Sequence, residues 1–539
     1  MKYSHFKIWQ LNLLASFLFV ILYNIAFWKE TYQIIKPETA SDYFLFAAIF
    51  VFLVAVINLI LSLFTWQKSY KLFYILIFLI ASASFYFIYQ YNIVIDKEMV
   101  RNVMETSSSE GKDLISSGLI FVLFLLGILP SYLVYKLKST RITYRNFLFT
   151  KIKSMAISIA VILLVIYLNY ASFASIARNN RNLSHVILPT NFIFALISYA
   201  GEQFNSAKIP YNPIASDATQ RDSFKDKKQV YFLIIGETAR ADRFSLNGYQ
   251  RETNPNLKER HDIVNFTNTA SCGTNTATSL PCLFSHLDQA NYSHKIAKNT
   301  DSLLDFFKSA GFDVQWRDNN TGCKGICKQE DFLDLTMDDG NSLCNEEECY
   351  DEILFKDLYE KITQNPNNQV YVLHPKGSHG PAYYLRYPKR FEVFQPTCQD
   401  IQLQKCEKQE IDNSYDNTIL YADYIIDSAI KLLEKLPKDT LTTMIYLSDH
   451  GESLGENNLY LHGTPYMFAP NEQTKVPFII WLSDSLQEST SLDFQCLLTG
   501  KDIRLSHDNF FHSMLGIAQI QTEYYDQSRD IFYQCQSKQ

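Results

Sequence analysis

The chain has 539 residues, a net charge of −7 at neutral pH and ten cysteines. That length accommodates at least two domains, and the acidic balance excludes the basic surface that a nucleic-acid partner would require. Composition is uneven: Leu, Ile, Phe, Val and Tyr dominate the first 175 residues, the remainder has the mix of a soluble protein, and every cysteine lies at or after Cys272.

Five apolar runs, at about 9–28, 43–64, 72–91, 118–135 and 154–173, are long enough to cross a bilayer. The first is followed by no small-residue cleavage site, so it reads as a span and not as a signal peptide. Lys68 and Lys71, then Lys136, Lys138, Arg145, Lys151 and Lys153, mark their loops as cytoplasmic. Five spans from an inside N-terminus place everything after residue 174 on the outer face. Closely spaced cysteines in an even number ask for the same oxidising side.

Between the third and fourth runs, residues 96–117 are too long for a simple connector. Asn102, Thr106 and Glu110 recur there every four residues and would share one face of a helix. That face is either solvated or a surface for a lipid head group. Residues 187–204 are apolar but short and fit an interfacial helix better than a sixth span. Residues 205–228, rich in polar residues and carrying Pro210 and Pro213, read as a linker. The expected domains are therefore a transmembrane domain of five helices at 1–174, an interfacial helix and linker at 175–228, and a catalytic domain at 229–539.

Three apolar runs in the last of these end in polar residues. Gln229–Gly236 delivers Glu237, the run from Gln369 delivers His374 with His379 shortly after, and the run from Leu441 delivers Asp449 and His450. Continuous apolar runs suit buried parallel strands, and the helical stretches 300–310 and 414–436 between them imply an α/β sheet with a site at the strands' carboxyl edges. Ser271–Phe284 packs hydroxyls, Gly273, Cys272 and Cys282 into a turn that enters an apolar segment, the outline of a nucleophile presented at a helix start. The two cysteines could staple that turn. Zinc on Cys323 and Cys327, or on Cys344 and Cys349, would need a second Cys/His pair that neither has.

Glu237, Asp449 and His450 offer hard oxygen and imidazole donors suited to zinc, with manganese as the lesser candidate, and leave a coordination position open. A threonine hydroxyl is not ionised at neutral pH, so Thr276 as a nucleophile needs such an ion beside it. His379 and His462 remain candidates for phosphate binding, general-acid work or a second metal.

On these motifs the sequence resembles the phosphoethanolamine–lipid A transferases, which include the mobile colistin resistance enzymes: inner-membrane proteins of Gram-negative bacteria with a periplasmic, sulfatase-like domain of the alkaline-phosphatase superfamily. The resemblance covers nearly the whole chain. It implies zinc on Glu237, Thr276, Asp449 and His450, one ion held tightly with room for a second. It implies that phosphoethanolamine is contacted by Asn320, Lys324, His379 and His462, and lipid by Asn102, Thr106 and Glu110. With it go a phosphatidylethanolamine donor, a lipid A acceptor, a covalent intermediate on Thr276, polymyxin resistance and a monomeric enzyme in the inner membrane. The expected disulfides are Cys272–Cys282, Cys323–Cys327, Cys344–Cys349, Cys398–Cys406 and Cys496–Cys535. His374-Pro-Lys departs from the family's usual Gln/Met pair after that histidine, which leaves the role of His374 open. The same chemistry on another acceptor, such as core heptose, Kdo or a periplasmic glucan, is the alternative. A lipoteichoic-acid-synthase-like enzyme fits less well with the dense cysteines, and a degenerate sensor less well with a complete set of metal-type residues.

Overall fold

The computed structural model describes residues 5–536 apart from 107–110, 113, 141, 207–208, 222–223, 225–226, 329–330, 339–340 and 346–347. Two compact units result, one of Met1–Val100 with Ile115–Tyr199 and one of Arg101–Leu114 with Ala200–Gln539. The boundary falls inside two helices: between Val100 and Arg101 in the one at Lys97–Glu105, within the stretch 96–117, and between Tyr199 and Ala200 in the one expected to lead into the linker.

The first unit is helical. α1 (Ile8–Leu18) continues as a π turn to Tyr23 and meets α2 (Ile25–Ile35) at a 65° bend. Asn24 makes the corner: its Nδ2 donates to Phe19 O (2.9 Å) and Leu188 O (2.7 Å), and its Oδ1 accepts from Leu188 N (2.8 Å). Carbonyls freed by a broken helix need such partners where no water is available. α3 (Ala40–Phe64) and α4 (Tyr70–Tyr91) are long and apolar enough to cross a membrane. α5 (Lys97–Glu105) begins in the first unit and ends in the second, and the first unit resumes with two more helices of spanning length, α6 (Ser117–Lys136) and α7 (Tyr144–Leu168). Among the described residues that makes four spans, or five if the bent pair counts as one.

α7 begins ten residues before the apolar run that announced it. Lys151 is carried inside it because its ammonium reaches back to Leu63 O (3.0 Å) and lies 3.7 Å from the Trp66 ring centroid. Buried amides pin the bundle. Asn12 Nδ2 donates to Ser62 Oγ and Thr65 Oγ1 while Tyr74 OH donates to Asn12 Oδ1. α8 (Thr190–Ser206) closes the helical part of the chain.

The second unit is built on one eight-stranded sheet. In chain order its strands are β1 (Gln229–Gly236), β2 (Ile263–Ala270), β3 (Phe312–Asp318), β4 (Phe332–Asp334), β5 (Asn368–His374), β6 (Leu441–Ser448), β7 (Lys475–Leu482) and β8 (Leu505–Ser506). Their spatial order is β8-β2-β7-β6-β1-β5-β3-β4. β1 is central, parallel to both β5 and β6, and only β7 runs against its neighbours. Every residue of β1 and β6 is buried, which explains the unbroken apolar runs. Helices α9 (Thr276–Leu283), α10 (Leu303–Ser309), α11 (Leu358–Gln364), α12 (Lys408–Glu434) and α13 (Asp508–Ile517) accompany the sheet. All ten cysteines are paired, as 272–282, 323–327, 344–349, 398–406 and 496–535.

Candidate active site

The register of the two central strands assembles the site. Gly236 pairs with Ser448, and Asp449 N donates to Gly236 O at 2.8 Å, so Glu237 and Asp449 leave the sheet side by side. One atom each from Glu237, Asp449 and His450 lie within 4.8 Å of one another, and all three residues are buried. The chain turns sharply after Glu237: Thr238, although β-branched, has φ +52°. Its conformation is held at both ends, by its N–H donating to Asp449 Oδ1 (3.2 Å) and by its carbonyl accepting from Tyr415 OH of α12 (2.6 Å). Gly377 crosses directly over this turn, and a Cβ there would sit 2.8 Å from Glu237 O.

Thr276 is the first residue of α9. Asn275 caps the helix by accepting from Thr278 N, and Cys272–Cys282 ties the turn to the helix's last residues. Thr274 binds the turn to a second loop, its hydroxyl donating to Thr464 O (2.6 Å) and its carbonyl accepting from Gly463 N (2.8 Å). His507 holds it to β6: its Nδ1 accepts from Cys272 N (3.2 Å) and its Nε2 donates to Ser448 O (2.9 Å). So placed, Thr276 Oγ1 lies 3.3 Å from each oxygen of Glu237 and 3.4 Å from His450 Nε2.

These four residues fit a metal ion. His450 Nδ1 donates to Gly451 O (2.9 Å), which fixes its proton there and leaves a lone pair on Nε2. That lone pair faces Glu237 Oε1 at 3.6 Å and Asp449 Oδ2 at 3.4 Å, and Asp449 Oδ2 is a buried atom with no hydrogen-bond partner among the described residues. Burial pushes the Asp449 carboxyl well above the ordinary range, and burial together with neighbouring His462 pushes His450 well below it. Converging acceptors in excess of donors are what a bound cation relieves.

Of the other predicted residues, Asn320 and His462 lie against this cluster and His379 lies against His462. Asn320 Nδ2 donates to Glu237 Oε2 at 2.8 Å. The ring of His462 lies 4.5 Å from that of His450 and 5.4 Å from that of His379, and its Nδ1 is 3.1 Å from Glu452 Oε2. Lys324, at φ +49°, extends its ammonium to Glu105 O at the end of α5 (2.9 Å). Asn102 lies in α5, and Thr106, just past its end, donates its hydroxyl to Asn102 O (2.7 Å); Glu110 lies outside the described residues. His374 ends β5, buried, with Nδ1 2.7 Å from Asp318 Oδ1.

Several supporting residues escaped sequence reasoning. Asp318 ends a strand just as the metal-type residues do, and Glu452 stands two positions after His450, so both carried a readable signal. Tyr415, His507 and Asp351 carried none. Asp351, fully buried, accepts from Lys376 N (2.7 Å), Gly377 N (3.0 Å) and Asn319 Nδ2 (2.8 Å), and so shapes the loop leading to His379.

Comparison with known proteins agrees with this architecture. Residues 229–520 match the sulfatase family and residues 53–204 match the family described as phosphoethanolamine transferase EptA/EptB. Phosphoethanolamine transferase EptA of Escherichia coli (strain K12) is 39% identical over 528 residues, covering 97% of this chain and 96% of that protein. Phosphatidylethanolamine transferase Mcr-1 of Escherichia coli is 36% identical over 419 residues, 76% of this chain and 77% of its own. The integral membrane lipooligosaccharide phosphoethanolamine transferase A of Neisseria meningitidis superposes with a TM-score of 0.94 at 34% identity, over 98% of this chain and 99% of that one. With its helical membrane unit and a sulfatase-type sheet whose strand ends converge on one buried cluster, the chain belongs to the phosphoethanolamine transferases.

Proposed function

We propose that this enzyme moves phosphoethanolamine from phosphatidylethanolamine to a phosphate of lipid A, using Thr276 as nucleophile. The observation that carries the reading is the convergence of Thr276 Oγ1 with Glu237, Asp449 and His450, four buried groups with acceptors in excess of donors. Glu237, Asp449, His450 and Thr276 would hold zinc, which when bound makes a hydroxyl a competent nucleophile near neutral pH and offsets negative charge developing on phosphorus. Relatives named for phosphatidylethanolamine and for lipooligosaccharide support the donor and the acceptor class.

In the first step Thr276 Oγ1, ionised by loss of its proton to solvent, forms a bond to the donor's phosphorus and the ester bond to diacylglycerol breaks, the leaving oxygen taking up a proton from His379 or His462. In the second, a hydroxyl oxygen of a lipid A phosphate attacks the same phosphorus, its proton restoring the histidine, and the bond to Thr276 Oγ1 breaks to leave that oxygen ionised as before. Lys324 supplies a polar contact for the phosphoryl oxygens, Asn320 offers its amide oxygen to the ammonium of the phosphoethanolamine group, and the two histidines stand within reach of the same group. Asn102, Thr106 and Glu110 are read as contacts for the lipid. The five disulfides support an oxidising compartment, so the enzyme is assigned to the bacterial inner membrane with its catalytic domain in the periplasm. Adding an amine offsets the surface charge that draws polymyxins.

Labelled phosphatidylethanolamine and mass spectrometry of the protein test the nucleophile. The adduct should map to Thr276, persist in part in Thr276→Ser and vanish in Thr276→Ala. Lipid A from cells with and without the gene tests the acceptor. An adduct on Thr274 or Thr278 would refute the first assignment, and label found only on Kdo or core heptose would replace the second.

A further inference from the structure

We infer that Asp318 and His374 are positioning residues that set the orientation of the Asn320 amide, so that its nitrogen loads Glu237 and its oxygen is presented to substrate. This rests on Asn320 being a substrate contact, as read above. The chain of hydrogen bonds starts at Asp318. Its Oδ1 accepts from Trp316 Nε1 (2.9 Å) and from His374 Nδ1 (2.7 Å), and its Oδ2 accepts from Gly322 N (2.9 Å) and Asn320 N (3.2 Å). A carboxylate so occupied is a fixed acceptor. It holds the His374 proton on Nδ1 and leaves the lone pair on Nε2.

That lone pair meets Asn320 Nδ2 at 3.2 Å. The same nitrogen lies 2.8 Å from Glu237 Oε2 and 3.1 Å from Pro375 O. All three neighbours are acceptors, so the amide has one orientation, nitrogen inward. Its Oδ1 is the remaining polar atom of the side chain and has no hydrogen-bond partner among the described residues. His374 and Asp318 are at most 1% exposed, and Asn320 is 5% exposed. The imidazole therefore reaches substrate only through Asn320. This gives His374 the role its position at the end of β5 left open, and it explains why a strand-end histidine sits 4.0 Å from Glu237 and makes no hydrogen bond to it.

Side chains that copy one half of the imidazole separate this role from packing. In His374→Asn the amide nitrogen occupies the place of Nδ1 and keeps the bond to Asp318, but nothing reaches Asn320. In His374→Gln the terminal oxygen takes the place of Nε2 and can accept from Asn320. Asp318→Asn keeps the shape but puts an N–H against His374 Nδ1, which drives the proton to Nε2 and sets donor against donor at Asn320.

The full-length enzyme in detergent, saturated with zinc, would be assayed for transfer from labelled phosphatidylethanolamine, zinc content and thermal midpoint. His374→Asn and Asp318→Asn should each lose roughly 10–100-fold in kcat/KM with zinc retained, and His374→Gln should recover most of it. In an Asn320→Ala background, His374→Asn should cost no further activity. Additive losses in that double variant would overturn the inference. So would equal losses in His374→Asn and His374→Gln, or losses that merely track the thermal midpoint. Formation of the adduct on Thr276 is read in the same samples, so an error in the nucleophile is told apart from an error in this positioning role.

Discussion

Replacing Asp449 with Asn should make the metal-free enzyme more stable and the metal-loaded enzyme less so. Asp449 is fully buried. Its Oδ1 accepts from His450 N (2.7 Å) and Thr238 N (3.2 Å), bonds that an amide oxygen keeps. Its Oδ2 has no hydrogen-bond partner among the described residues and lies 3.4 Å from the unprotonated Nε2 of His450. In Asp449→Asn the NH2 group takes that place, removing a buried anion and donating to the imidazole. Relieving one buried unsatisfied group contributes about 1–3 kcal/mol in the absence of metal. With zinc at a hundredfold over its dissociation constant, the parent gains about 2.7 kcal/mol that a variant lacking one of its few ligands does not. Thermal unfolding of the full chain at pH 8, in chelator and then in zinc, should therefore give midpoints whose order reverses. If Asp449→Asn is destabilised equally in both, or carries full zinc by elemental analysis, the cluster is not the metal site.

Three further outcomes are expected. Burial lowers both His507 and His512 from 6.5 to about 4, so the neutral rings favour the folded state; stability should be full above pH 6.5 and fall as pH drops towards 4, a loss that should shrink in His512→Gln and that a flat profile would contradict. Tyr415→Phe removes the hydroxyl that accepts from Arg240 N and donates to Thr238 O, and should cost about 1–3 kcal/mol with a matching loss of zinc affinity; unchanged zinc affinity would mean the turn after Glu237 holds itself. Gly451→Ala would put a methyl carbon 2.0 Å from Glu472 O, a backbone atom that cannot swing aside, and should cost about 1–3 kcal/mol, read as a lower thermal midpoint.

What the sequence disclosed follows from how each feature is encoded. β1, β5 and β6 are buried on both faces, so they appear as unbroken apolar runs, and the polar residue that ends such a run stands out; Glu237, His374, Asp449 and His450 were legible for that reason. Thr276 was legible because its turn concentrates Gly, Asn, hydroxyls and cysteines. The supports of the site were not, since Tyr415 comes from the middle of α12 and His507 from the turn before α13, and their neighbours are fixed only by tertiary packing. The break at Asn24 and the early start of α7 were hidden for a related reason. A hydropathy run records where side chains are apolar, whereas the bend depends on one amide and the early start accommodates Lys151, whose ammonium is satisfied by Leu63 O and the Trp66 ring.

The parallel pairing of β1 with β6 also has a consequence in time. Synthesis proceeds from the N-terminus, so Glu237 and then Thr276 leave the ribosome long before Asp449 and His450. Until the segment 441–450 emerges and docks beside Gly236, the chain holds Glu237 and Thr276 without the Asp449 and His450 that complete the cluster. A chain that ends before residue 441 lacks two of the three residues of the cluster, Asp449 and His450. If the cluster holds a metal as proposed, its capture waits for chains whose central sheet has already closed.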